Sequence, residues 1–242
     1  MSRKTKRNQK SERPGQPAQQ TSSAASRGTR NVVIGSIAVL LLALGGWALL
    51  HKGGEKQSSG QVDAHRGSAL ASTQAPTLGE ATAKVHIVEF LDPACETCAE
   101  FFPIAKQYMA DNPGKIRLSV RHVAFHDGSE YAVRVLEASR KQDKYWQTLE
   151  ALLASQHQWA PNHVAQPDLI VRSIAGVGMN IDQLLADVNA PEVTQRIEQD
   201  RNDAMVLKVT ATPEYFVNGR PMPSFGEQQL RTLINDALAD AY

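Results

Sequence analysis

A chain of 242 residues with 42% hydrophobic and 21% charged residues has enough apolar material for a packed core, and its length suits one large or two small domains. Its formal net charge of +1 conceals an asymmetry: residues 1–30 hold eight Lys/Arg against the single acid Glu12, whereas residues 79–242 hold 15 basic and 22 acidic side chains. The C-terminal part is therefore net acidic, which argues against nucleic acid as a partner.

Taken in chain order, residues 1–30 are polar and basic and read as a disordered cytoplasmic tail that acts mainly as a topology signal. Residues 31–50 follow, and Val32 to Leu50 contains no charged residue. At 1.5 Å per helical residue this run reaches roughly 28 Å, close to a hydrocarbon core. With the basic flank on its N-terminal side and Trp47 near its outer end, it is expected to be a single transmembrane helix. A cleaved signal peptide is the competing reading, but the run is longer than such segments usually are, and "HKGGEKQ" offers no A-x-A-like site. The lipid bilayer is thus one expected partner, with the N-terminus cytoplasmic and the rest outside, as in a bacterial inner membrane protein facing the periplasm. Residues 51–78, rich in Gly, Ser, Gln, Ala and Thr, read as a flexible tether.

The folded domain is expected over 79–242. "KVHIVEFLD", Lys84 to Asp92, has the β-branched content of a buried strand. Phe101, Ile104, Ala105, Tyr108 and Met109 recur at helical spacing until Asn112-Pro113-Gly114 stops them, and Pro103 is expected to kink that helix. "KIRLSVRHVAF", Lys115 to Phe125, is a second strand, so the three form a parallel βαβ unit. From about 129 to 207 only helical periodicity occurs, with Asn180 and Pro191 marking helix starts. Tyr215 to Val217 form a short strand, Asn218-Gly219 a hairpin turn, and Leu230, Leu233, Ile234, Ala237 and Leu238 the apolar stripe of a last helix. The pattern predicts an α/β fold whose sheet core is assembled from both ends around an all-helical insertion.

Both cysteines of the chain lie in "LDPACETCAEFF". Asp92-Pro93-Ala94 breaks the strand, so Cys95 falls at the helix cap, where unpaired backbone N–H groups and the helix dipole favour a thiolate. Thiols in such places ionise at about 3.5–7.5 instead of ~8.5. Cys98 stands one turn later and can displace whatever Cys95 captures. A purely structural disulfide would close too small a loop to constrain the unfolded chain much. A zinc site would need further ligands; His122 and His126 have H-x₃-H spacing but sit at a strand end. A Cu(I) carrier needs only two thiolates and stays open. Each of the two histidines is read as a structural residue, since neither has the sequence proximity to a cysteine that a reactive pair shows. Trp146 and Trp159 are read as core or interface residues. Phe125 and Met222 to Phe225 are candidates for an apolar client groove.

Strand, Pro-x-Cys-x-x-Cys, helix, helical insertion, then Thr-Pro before "YFVNG" resembles the thioredoxin superfamily over about 79–242, most closely at "VEFLDPACETC" and "VTATPEYFVNG". The insertion and the anchor make it similar to DsbA-like bacterial disulfide oxidoreductases. The resemblance implies a thioredoxin-like fold and no cofactor. It implies a nucleophilic Cys95 and a resolving Cys98. It further implies a cis Pro213 whose neighbour Thr212 pairs with an extended substrate segment, and a buried acid at Glu89 that relays the proton of Cys98. Clients would be cysteine-containing secreted or periplasmic proteins, and a membrane redox partner would reset the pair. Glu96-Thr97 stand between the cysteines where strongly oxidising members often carry a His. The Glu96 carboxylate is expected to raise the pKa of Cys95, although Thr97 can still donate a hydrogen bond, so that the reduced form is less stabilised and the protein is a weaker oxidant. Reductase or isomerase action remains the alternative direction.

Overall fold

Val85–Leu91 forms strand β2, and the elements around it explain the rest of the domain. The structure, a computed structural model, describes residues 64–242. The tail, the expected transmembrane stretch and residues 51–63 of the tether lie outside the described residues, and none of the described helices is long and apolar enough to cross a membrane. In chain order the elements are a helix α1 over residues 64–70, then β1 (Thr77–Leu78), β2, α2 (Glu96–Asp111), β3 (Ile116–His122), α3 (Ser129–Ser139), α4 (Tyr145–Ala154), α5 (Gln156–Trp159), α6 (Pro167–Ser173), α7 (Ile181–Asp187), α8 (Pro191–Leu207), β4 (Glu214–Val217), β5 (Arg220–Pro221) and α9 (Glu227–Ala241).

The sheet order is β1-β3-β2-β4-β5. Only β2 and β3 are parallel, joined by α2 as the βαβ pattern predicts, while β4 returns antiparallel to β2. The β4–β5 hairpin turns at Asn218 and Gly219, both with positive φ (47° and 82°), as the Asn-Gly pair predicts. Helices α3 to α8 occupy the stretch between β3 and β4, which is the expected insertion.

Both faces of β2 are covered. Val85, Ile87 and Leu91 join a core with Phe101, Phe102 and Ala105 of α2, Leu230 and Ile234 of α9, and Leu136, Leu149 and Trp159 of the insertion. Val88 and Phe90 face the other way, into a smaller cluster with Ala204, Leu207, Val209 and Phe216. Glu89 therefore points to the same face as Ile87 and Leu91, and the sheet offers it no solvent on either side.

Two expectations need correction. The tether does not extend to residue 78: Thr77–Leu78 pairs antiparallel with β3, Pro76 O accepts from Val120 N, and Ala69 is buried. Composition alone hid this, because the ordering comes from the open edge of β3, which offers backbone groups to any nearby extended segment. Gly79 completes the connection at φ 92°, where an added Cβ would lie 2.6 Å from Ile116 O. Strand β3 stops at His122 and not at Phe125, because the N–H groups of Phe125 and His126 bond a side chain, the Asp92 carboxylate, and leave the ladder. Helix α2, Glu96 to Asp111, carries Pro103 in its interior, as the sequence places it.

The insertion is joined to the sheet by a buried cation. Arg121 of β3 is fully buried and donates to Asp200 (2.5 Å) and Asp203 (2.6 Å) of α8 and to Ala69 O (2.8 Å). Asp200 also accepts from His122 N at 2.7 Å. Replacing Arg121 by Leu strands two carboxylates in a dry setting. The expected result is a loss of about 3 kcal/mol in urea unfolding; a loss below about 1 kcal/mol would show that the cluster does not hold the insertion in place.

Candidate active site

Leu91 ends the strand, and Asp92 turns the chain by accepting from Ala94 N at 2.9 Å through Oδ1. Cys95 N donates to Asp92 O at 3.0 Å, and Cys95 then stands at the N-cap of α2 with extended backbone (φ −83°, ψ 117°). This is the cap position that the sequence predicts. Both cysteines are free thiols; Cys95 keeps 6% exposure and Cys98 none.

Their acidities are driven apart. Cys95 is lowered to about 5. The largest cause is a hydrogen bond from the Cys98 thiol, followed by Thr212, the backbone N–H of Cys98 and the positive charge of His126, against an opposing cost of partial burial. Cys98 is pushed well above the usual thiol range, chiefly by burial and then by its hydrogen bond to, and the charge of, Cys95.

Thr212 and Pro213 lie against this pair. The Thr212–Pro213 peptide is cis, and the Cys95 thiol donates to Thr212 O at 3.3 Å. Glu89 is fully buried, and burial raises its carboxyl to about 8. Tyr215, its cross-strand partner on β4, offsets part of that, although neither carboxylate oxygen nor Tyr215 Oη has a hydrogen bond of ordinary geometry among the described residues. A mostly protonated acid behind Cys98 can give that sulfur a proton when it leaves as a thiolate.

The dipeptide between the cysteines behaves differently from expectation. The Glu96 side chain is 66% exposed and lies 4.0 Å from His163 Nε2. Solvent screening at the helix rim removes the repulsion that sequence proximity suggests. The Thr97 hydroxyl makes no hydrogen bond to either sulfur among the described residues; its place is taken by Thr212.

Sequence reasoning missed three participants. Asp92, fully buried, accepts from Ala94 N, Phe125 N, His126 N and His126 Nδ1. Gln156, on α5 of the insertion, donates to Pro93 O (2.7 Å) and Cys95 O (2.9 Å). His126 comes to the site, while His122 turns into the core against Tyr145 Oη at 2.7 Å. Only Asp92 carries a local signal, the Asp-Pro turn; Gln156 lies 61 residues from Cys95, with no motif to mark it. Phe125 and Phe225 are about half exposed, and Phe225 packs on Phe101 of α2 with ring centroids 4.6 Å apart, whereas Met222 is buried. Trp159 is a core residue, fully buried.

Residues 71–236 match the thioredoxin family. The chain belongs to that family. Among solved structures, a thioredoxin-like oxidoreductase from Silicibacter pomeroyi is 30% identical with a TM-score of 0.60, over 70% of this chain and 95% of that one. A probable disulfide bond formation protein D of Bacillus cereus is 27% identical over 157 residues, which is 61% of this chain and 71% of that protein. A protein of Herminiimonas arsenicoxydans named as a Na(+)/H(+) antiporter NhaA is 27% identical over 159 residues, 66% of this chain. The match spans only 25% of the antiporter-named relative, so its transport activity does not come with the likeness.

Two outcomes test this geometry. Alkylation of Cys95 by iodoacetamide in the reduced protein should follow a titration centred near pH 5; a midpoint near that of a free thiol, about 8.5, would contradict it. Glu89 has a raised carboxyl, so the folded state binds the extra proton between about pH 4.5 and 8 and loses stability as pH rises through that window. Glu89→Gln should remove that slope, stabilising the protein by at most about 3 kcal/mol at pH 7 and not at all below pH 4, as read from thermal melts across pH.

Proposed function

We propose that this chain is a DsbA-like thiol–disulfide oxidoreductase that acts on cysteine-containing proteins outside the cytoplasm, held at the membrane by its N-terminal helix. The observation that carries the reading is the opposed acidity of two sulfurs one helical turn apart, one at a cap and lowered to about 5, the other buried and raised. The family membership and the likeness to a thioredoxin-like oxidoreductase and to a disulfide bond formation protein agree with it. The membrane placement is supported by the uncharged run at Val32 to Leu50 and its basic flank.

The direction that fits is oxidation of the client. A client thiolate attacks Cys95 Sγ of the Cys95–Cys98 disulfide. The intramolecular S–S bond breaks, an intermolecular one forms, and Cys98 leaves as a thiolate that takes a proton from Glu89. A second client thiolate attacks the client sulfur of the mixed disulfide, and Cys95 leaves as a thiolate. The client loses two electrons and forms its disulfide, while the enzyme's pair gains them. A low thiol pKa makes Cys95 a good leaving group and stabilises the reduced form, which makes the disulfide an oxidant. A disulfide- or quinone-bearing redox partner in the membrane would then take the two electrons and re-form the Cys95–Cys98 bond. Thr212, on the loop against Cys95, offers backbone to an extended client segment, and the exposed rings of Phe125 and Phe225 offer it apolar contact.

In the reduced protein the Cys95 thiolate contributes stability that grows as pH rises from about 5 toward the ordinary thiol value of 9.0 and is lost as pH falls back through that window, opposite in sign to the contribution of Glu89. The test is exchange with dithiothreitol and insulin, with equilibration against glutathione. Wild type should exchange thiols at an equilibrium more oxidising than the about −270 mV of thioredoxin. Cys95→Ser should abolish exchange and Cys98→Ser should trap a mixed disulfide. Stoichiometric Cu(I) binding without exchange would replace this reading with metal carriage, and a potential at or below about −270 mV would reverse its direction.

A further inference from the structure

The dipeptide between the cysteines supplies no basic group, yet a basic side chain does act on Cys95, brought from another part of the chain. His126, in the loop after β3, is fixed at two points on one buried carboxylate. Its backbone N–H and its ring Nδ1 both bond Asp92 Oδ2, at 2.9 and 2.7 Å. The other oxygen of the same carboxylate holds Ala94 N, immediately before Cys95. Asp92 therefore sets the imidazole and the nucleophile loop in one frame. The His163 ring closes over His126 with centroids 5.0 Å apart and planes 20° apart, and His163 Nε2 in turn faces Glu96 at 4.0 Å.

We infer that His126 is a positioning residue for Cys95: held by Asp92 and covered by His163, it supplies from the β3–α3 loop the positive charge that a histidine between the cysteines supplies elsewhere. This rests on the thiol–disulfide exchange reading and deepens it. The balance of charge requires such a group. Asp92 is a buried carboxylate in the loop that carries the sulfur, and unopposed it would disfavour a thiolate. The imidazole, with its Nδ1 on Asp92 Oδ2, offsets the field of that carboxylate at the loop that carries Cys95. His126 is among the groups that lower Cys95, and it is the one that does so by charge alone, without a hydrogen bond to the sulfur. The titratable groups that meet at the ring are Asp92 from the end of β2, Cys95 and Glu96 from the start of α2, His163 from the turn ahead of α6, and Asp127 next to it in the chain. Among these, only Asp92 bonds the His126 side chain, which is 27% exposed.

The test compares full-length wild type, His126→Gln and His126→Lys. The pH profile of Cys95 alkylation and the equilibrium with glutathione are measured in each, with thermal melts to verify folding. His126→Gln should move the alkylation midpoint to higher pH and shift the glutathione equilibrium toward the disulfide by about three- to ten-fold, the size expected of one partly screened charge. His126→Lys, which restores charge but not the ring, should recover most of that shift, which a merely structural role would not allow. Unchanged values in His126→Gln would overturn the inference while leaving the exchange reading intact; absence of exchange in wild type would overturn the exchange reading first. If His126→Gln does not fold, the wild-type His126 ring followed by NMR decides: linkage requires it to hold its proton more tightly when Cys95 is a thiolate than when it is in the disulfide, and identical titrations in the two redox states would refute the coupling.

Discussion

One buried carboxylate holds the reactive end of this molecule together. Asp92 accepts four hydrogen bonds, from Ala94 N, Phe125 N, His126 N and His126 Nδ1. It thereby ends β2, shapes the turn into α2, ends β3 and seats an imidazole beside the nucleophile loop. A carboxylate this deep is tolerable only because every bond it accepts is aimed at it and one of its partners can carry charge. The two parallel strands deliver their C-terminal ends to the same side of the sheet, so both loops are within reach of one side chain.

The rest of the site is a gradient of burial laid over that frame. Cys95 at the cap keeps contact with solvent and with backbone donors. Cys98, one turn further in, and Glu89, on the covered face of β2, have no solvent exposure. Desolvation penalises charge in proportion to depth, so the same helix start yields one acidic and one reluctant thiol, backed by an acid that retains its proton. The chemistry follows from where each group lies along this gradient.

The helical insertion does more than cover the sheet. Gln156 ties α5 to the carbonyls of Pro93 and Cys95, and the Arg121 cluster ties α8 to β3 and to the segment ahead of β1. Each tie joins a polar group that the sheet cannot satisfy to one that the insertion cannot satisfy. Burying either partner alone would be costly, which fixes how the insertion sits on the core.

Local patterns in the sequence were sufficient for the elements and for the two sulfurs. Alternation, helical stripes, Asn-Gly, and Asp-Pro before a spaced cysteine pair are short-range signals, because backbone geometry and caps are set by near neighbours. Glu89 and Thr212-Pro213 could be named only through the family pattern, since nothing within a few residues of them distinguishes a buried acid from a surface one. Adjacency in the chain leaves Glu96 on the solvent side of the helix start, where water screens its charge. What only the tertiary structure decided is which distant groups meet the thiolate. Asp92 with His126, Gln156 with the loop carbonyls, and the edge pairing of Thr77–Leu78 all join segments separated by tens of positions. Contacts of that kind arise from burial and from satisfying polar groups across the whole fold, and leave no periodic mark in the chain.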